Sequence, residues 1–250
     1  MIFVLFQVGT VDFNSDAIVP DEENVFAGSS DAGEINGSFH EHKIWNELLQ
    51  RYVLDGKVDY KGLKSNTQFS EYLQSLSNQA PDPSWSRDQQ LSYWINAYNA
   101  FTMKLIVDNY PLNSIMDLHG GKAWDVKWID IDSKAYSLNQ IENEIIRPQF
   151  QEARIHFAVN CAAKSCPPLA SKAFTEKNLE SLLEQQTVAF INDSNHNKIS
   201  KNDVRISKIF EWYGQDFGNL INFLNQYSSV KINKSAKVEY QNYDWALNGK

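Results

Sequence analysis

The chain has 250 residues, 42% of them hydrophobic, with 7 Trp and 11 Tyr, enough for one large domain or two small ones with a sizeable core. Its formal charge of −8 is unevenly spread, because eight of the 31 acids and none of the 23 Lys and Arg lie in residues 1–42, which leaves the remainder neutral. Neither part carries a basic stripe, which argues against nucleic acid as a partner, and no apolar run approaches the ~18 residues of a membrane-spanning helix.

The opening MIFVLF has the character of the tail of a secretory h-region without the charged n-region before it. With the surface-like segment that follows, it points to export, and a periplasmic or secreted location is the expectation. Residues 1–37, rich in Asp, Gly, Ser and Asn, read as an acidic flexible arm, and residues 38–250 as a single α+β domain. Ser38 and Glu41 have capping-box spacing, and Ile44, Trp45, Leu48, Leu49 and Tyr52 follow at helical intervals. Asp55-Gly56 marks a tight turn between two short apolar runs. A helix of about three turns then carries Phe69, Tyr72, Leu73 and Leu76.

The longest helix is expected from about Ser86, boxed with Gln89, to Tyr110, where Pro111 stops it. Leu91, Trp94, Ile95, Tyr98, Thr102 and Leu105 would form its buried stripe. WDVKWIDID alternates and predicts a strand with Trp124, Val126 and Trp128 on one face. Ser137 and Gln140 cap the next helix, which ends before Pro148. RIHFAVNC predicts another strand, followed by a helix from about Thr175 to Phe190, a short strand near Val204 and Ile206, two helices and a strand at 238–240. Long helices among isolated strands imply a long central helix packed on a small, mainly antiparallel sheet.

Chemistry concentrates in IHFAVNCAAKSCPPL. On a strand, His156, Ala158 and Asn160 point one way and Cys161 the other, so a Cys–His pair needs the following loop to turn back. Cys166 precedes Pro167-Pro168, and proline favours a first helical position, which would make Cys166 an N-cap with its thiolate stabilised and Lys164 assisting. Cys166 is therefore the expected nucleophile and Cys161 the buried sulfur. The two lie five apart and can pair only across a tight loop. A plain structural role for the sulfurs and the histidine is the alternative. Zinc is disfavoured, since His156, Cys161 and Cys166 have no fourth ligand at a suitable spacing, and neither a metal nor a cofactor is expected. Asn96 and Asn99 share a helix face and would either bind a substrate amide or tie the helix to neighbouring backbone. Glu142 and Arg147 are five apart on a helix, where either would brace the adjoining strand.

SYWINAYNAFTMKLI, YSLNQIENEIIRPQF, the cysteine segment, ISKIFEWYGQDFG and YDWALN together resemble the domain of unknown function 547 family, in order and spacing, over roughly residues 38 to 248. Members are widespread in bacteria, often with export signals, and occur as a C-terminal domain in plant proteins with coiled coils. The resemblance implies no established reaction. A more distant similarity is to papain-like and transglutaminase-like cysteine enzymes, from which the chain departs in that its long helix carries no Cys and both cysteines follow His156. That similarity implies a papain/transglutaminase-like fold class more than an activity, and the residues themselves suggest a thiol-dependent hydrolase or transferase acting on an amide or thioester. Cys166 or Cys161 would be its nucleophile, His156 its base, and Asn160, Asn96 or Asn99 the orienting or oxyanion-binding groups. The alternative is a non-catalytic module that holds a small peptide or a thiol such as glutathione in a groove lined by Trp94, Tyr98 and Trp128, with a cysteine free to form a mixed disulfide.

Overall fold

The computed structural model describes residues 41–250, so the expected arm at residues 1–37 and Ser38 lie outside the described residues. Helix α1 spans Lys43–Tyr52, so Glu41 precedes the helix and does not occupy its third position. Asp55 and Gly56 adopt positive φ (49° and 73°), as a two-residue turn between β1 (Val53–Leu54) and β2 (Lys57–Val58) demands. The short α2 (Tyr60–Leu63) leads to α3 (Thr67–Asn78), which buries Phe69, Tyr72, Leu73 and Leu76. Trp45 of α1 stacks on Tyr72 with centroids 5.2 Å apart.

Helix α4 (Arg87–Asn109) opens with the expected capping box, in which Ser86 and Gln89 satisfy each other's backbone N–H. It is more than a one-sided stripe: every residue from Leu91 to Met103 is buried. A helix apolar on all sides belongs in the middle of a core. Its chief neighbours are helices, namely α2, α3 and the helical run that starts at Leu138. The expected packing of α4 on a sheet is thus corrected.

The strand expected over WDVKWIDID holds only at its end. Trp124 sits in a 3-10 turn (Ala123–Asp125), and β3 is confined to Ile129–Ile131, paired antiparallel with β4 (Lys134–Tyr136). Helix α5 (Leu138–Gln140), capped by the Ser137–Gln140 box, runs through a π-helical turn (Ile141–Ile146) into α6 (Arg147–Phe150). RIHFAVNC is no strand. Residues Ala153–Phe157 form a 3-10 turn, and the chain continues irregularly through both cysteines. Apolar runs of this length do not distinguish a strand from another buried segment, and here the backbone is held by side chains, as described below.

Helix α7 (Leu179–Asn192) begins later than Thr175. It is followed by β5 (Lys198–Ile199), β6 (Asp203–Ile206), α8 (Ile209–Trp212), α9 (Leu220–Tyr227) and β7 (Lys237–Tyr240). β5 pairs antiparallel with β6, and β6 pairs parallel with β7. The class is α+β, with the strands of the described residues in three small ladders instead of one sheet.

Two cores result. The larger surrounds α4. The smaller is aromatic, with Phe157, Phe190, Phe210, Phe217 and Phe223 packed between α7, β6, α8 and α9. The 3-10 turn joins them: Ile155 belongs to the first core and Phe157 to the second.

Candidate functional site

Asn99 fixes the position of the chemically loaded segment. Its side chain donates to the carbonyl of Ala158 (2.9 Å) and accepts from the backbone N–H of Asn160 (2.8 Å). Asn96 makes the same two-bond contact with Phe174, donating to its carbonyl (2.6 Å) and accepting from its N–H (3.1 Å). Both amides are occupied in tying α4 to irregular backbone, so the ligand-binding expectation for Asn96 and Asn99 gives way to the structural one.

Asn160 is likewise spent. It donates to the carbonyl of Pro167 (2.8 Å), and its oxygen accepts from the N–H of Ala162 (2.9 Å) and from Asn248 (3.0 Å). It folds the cysteine loop back on itself instead of orienting a histidine. The loop bends so tightly that Cys161 and Cys166 join in a disulfide, their Cα atoms 6.1 Å apart. No helix follows Cys166 among residues 167–170, so the expected N-cap thiolate has no basis, and Cys166 is 4% exposed while Cys161 is only half-buried. The backbone N–H of Cys161 points at Cys166 Sγ (2.9 Å), and the Tyr243 hydroxyl lies 3.1 Å from Cys161 Sγ and 3.3 Å from Cys166 Sγ.

A cavity of about 250 Å3 lies against this bridge, and Tyr98, Glu142, His156, Cys161 and Cys166 all reach its wall. Trp124, Trp212, Tyr213, Tyr243 and Trp245 also line it. Trp245 packs on Trp124 and Trp212 at 5.6 and 5.8 Å. Trp94 and Trp128 are not part of this wall: Trp94 packs edge-on to Tyr93 and Tyr136, and Trp128 to Phe101.

His156 is 2% exposed and stacked on Tyr213, with ring centroids 3.9 Å apart. Its Nε2 is 2.7 Å from Asp216 Oδ2. Asp216 also receives two bonds from Arg147, from Nε (2.6 Å) and from a terminal nitrogen (2.9 Å). The His156 hydrogen bond, followed by that of Arg147, holds the Asp216 carboxyl well below the usual carboxylate range. Arg147 thus pairs with Asp216, not with the strand it was expected to brace. Since Asp216 stays ionised, Nε2 carries a hydrogen. The opposite nitrogen, Nδ1, is buried without a hydrogen-bond partner, 4.0 Å from Glu142 Oε1.

Glu142 is 6% exposed and lies on the π-helical turn, an irregularity often found at functional positions. The phenols of Tyr98 and Tyr213 lie close enough to feel its charge. Burial first, and the Glu142 charge second, push the phenols of Tyr98, Tyr213 and Tyr243 well above their ordinary value, so all three stay protonated.

Tyr213, Asp216, Tyr243 and Trp245 were missed in the sequence. EWYGQDFG and YDWALN were visible as motifs, but nothing local tells which of their aromatic and acidic residues turn inward. A larger cavity of about 630 Å3 lies beside β5–β7, where Glu239 pairs with both Arg205 (3.8 Å) and Lys237 (2.6 Å) and Lys198 and Asp203 also reach the wall.

The fold and site define an α+β domain with a disulfide in the wall of an aromatic cavity. Residues 83–191 match the family model described as protein of unknown function, DUF547. That span holds α4, Glu142, His156 and both cysteines, while Tyr213, Asp216, Tyr243 and Trp245 lie beyond it. Comparison with curated proteins and with solved structures returns no match. Among the described residues, no helix is long and apolar enough to cross a membrane.

Proposed function

We propose that the domain binds a small thiol and exchanges disulfides with it at Cys161. The observation that carries this reading is the Cys161–Cys166 bridge in the wall of the cavity, with Cys161 the more accessible sulfur. The incoming thiolate attacks Cys161 Sγ, the bridge breaks, and the electron pair leaves on Cys166 Sγ. The Cys161 N–H, which points at Cys166 Sγ, stabilises that negative charge and favours Cys166 as the leaving group. A disulfide also fits an oxidising compartment, in keeping with a periplasmic or secreted protein. The test uses a Cys166→Ser variant, which cannot re-form the bridge, incubated with oxidised glutathione. A mixed disulfide at Cys161, located by peptide mapping, is expected. Folded protein with an unmodified Cys161 would refute the exchange.

A second reading is favoured by the Asp216–His156 pair beside the sulfurs. Once the bridge is reduced, a freed cysteine becomes the nucleophile and His156, oriented by Asp216, the base, as in the thiol hydrolases and transferases that the papain-like and transglutaminase-like resemblance suggests. It predicts hydrolysis of a model thioester by reduced protein only, with loss of turnover in His156→Gln. Inactivity of the reduced wild-type protein on amides and thioesters alike would remove it.

A further inference from the structure

The wall of the same cavity has a distinct acceptor end. Among the described residues lining it, Glu142 is the one carboxylate, and the neighbouring Arg147 charge is already neutralised by Asp216. The fixed charge at the wall is therefore negative. Near Glu142 is His156 Nδ1, 4.0 Å from Oε1 and without a hydrogen-bond partner. An ionised carboxylate offers roughly four acceptor positions, more than the nearby phenols of Tyr98 and Tyr213 can fill. Trp124, Tyr243 and Trp245 also line the cavity, and aromatic rings attract a cation.

We infer that the cavity is a primary-ammonium site, with the ligand nitrogen held at the Glu142 carboxylate among the aromatic side chains of the wall. This deepens the exchange reading and rests on it in part: the ligand becomes a small aminothiol, its ammonium at Glu142 and its sulfur at the Cys161–Cys166 bridge. A cavity of about 250 Å3 has room for a molecule of that size. The thiol step is the one written above: the ligand sulfur bonds to Cys161 Sγ while Cys166 leaves as thiolate.

The test separates the two halves. Ethylammonium, which has no sulfur, is titrated into native protein while tryptophan emission is followed, with propionate as the control of opposite charge. A saturable change with ethylammonium alone is expected, lost in Glu142→Gln. Separately, the rates at which cysteamine and 2-mercaptoethanol open the bridge are compared in native protein and in Glu142→Gln. The native protein should favour cysteamine by roughly tenfold more than the variant does, the value of one charge-assisted hydrogen bond. If ethylammonium gives no saturable change in the wild-type protein and the two thiols are discriminated equally in both proteins, the ammonium site is overturned while sulfur exchange stands. If ethylammonium binds and neither thiol opens the bridge, the exchange reading falls and the ammonium site survives. The wild-type titration decides the matter even if the variant does not fold.

Discussion

The carboxamide of Asn99, in the middle of the buried helix, accepts the backbone N–H of Asn160 at 2.8 Å. With its second bond to Ala158, it does for an irregular segment what a neighbouring strand would do for a β-strand. Asn99→Ala leaves a buried N–H and a buried carbonyl unpaired, and should cost roughly 2–4 kcal/mol in the denaturant midpoint. Asn99→Asp, which restores only the acceptor, should fall between the two. A midpoint unchanged in the alanine variant would show that solvent or a shifted backbone fills the role.

The exposure of the sulfurs predicts an order of reaction. In reduced, native protein, iodoacetamide should label Cys161 before Cys166, because Cys166 is 4% exposed while Cys161 is half-buried. This reverses what the sequence led us to expect. Peptide mapping after brief alkylation distinguishes the two, and earlier labelling of Cys166 would restore the N-cap view.

Asp216 should make stability depend on acid. Its folded-state value lies far below its ordinary 3.8, so the stabilisation it gives is present above about pH 4 and is lost as pH falls toward the folded value. Asp216→Asn should therefore cost about 2 kcal/mol at neutral pH, a figure moderated by the quarter exposure of the side chain, and the deficit should shrink on acidification. Melting curves of both proteins from pH 7 to about pH 2 test this. A deficit that stayed constant, or grew, in acid would contradict it.

Residues 243–250 hold one wall of the cavity, and Gly249 is their tightest point. A Cβ there would sit within bonding range of the Val58 carbonyl, with which Gly249 forms a parallel bridge. Gly249→Ala should cost about 1–3 kcal/mol as the backbone moves apart. It should also loosen Trp245 and Tyr243, read as weaker ligand-induced change in tryptophan emission. Unchanged melting would mean that the tail shifts freely.

Much of the scaffold was legible in the sequence because local rules decided it. The Ser86–Gln89 and Ser137–Gln140 boxes and the Asp55-Gly56 turn each place their own element. The segment around His156 was misread because its backbone is held by Asn99 and Asn160 and not by a ladder, and no period in the sequence encodes that. The grouping of Glu142, His156 and the cysteines was half visible. The partners that define the state of His156, Asp216 and Tyr213, lie about sixty residues away, and only the packing of the smaller core brings them back. Trp94 and Trp128 were assigned to a groove on residue type alone, and their rings turned out to be spent on neighbours.

The 3-10 turn has a consequence for how the protein comes apart. Ile155 anchors in the larger core and Phe157 in the smaller, with His156 between them. Neither core can loosen without pulling on the same three residues, so the two should open as one cooperative unit and not as independent foldons. Amide hydrogens of α7 and α9 should then exchange at rates close to those of α4, and any ligand seated against His156 should slow exchange in both cores together.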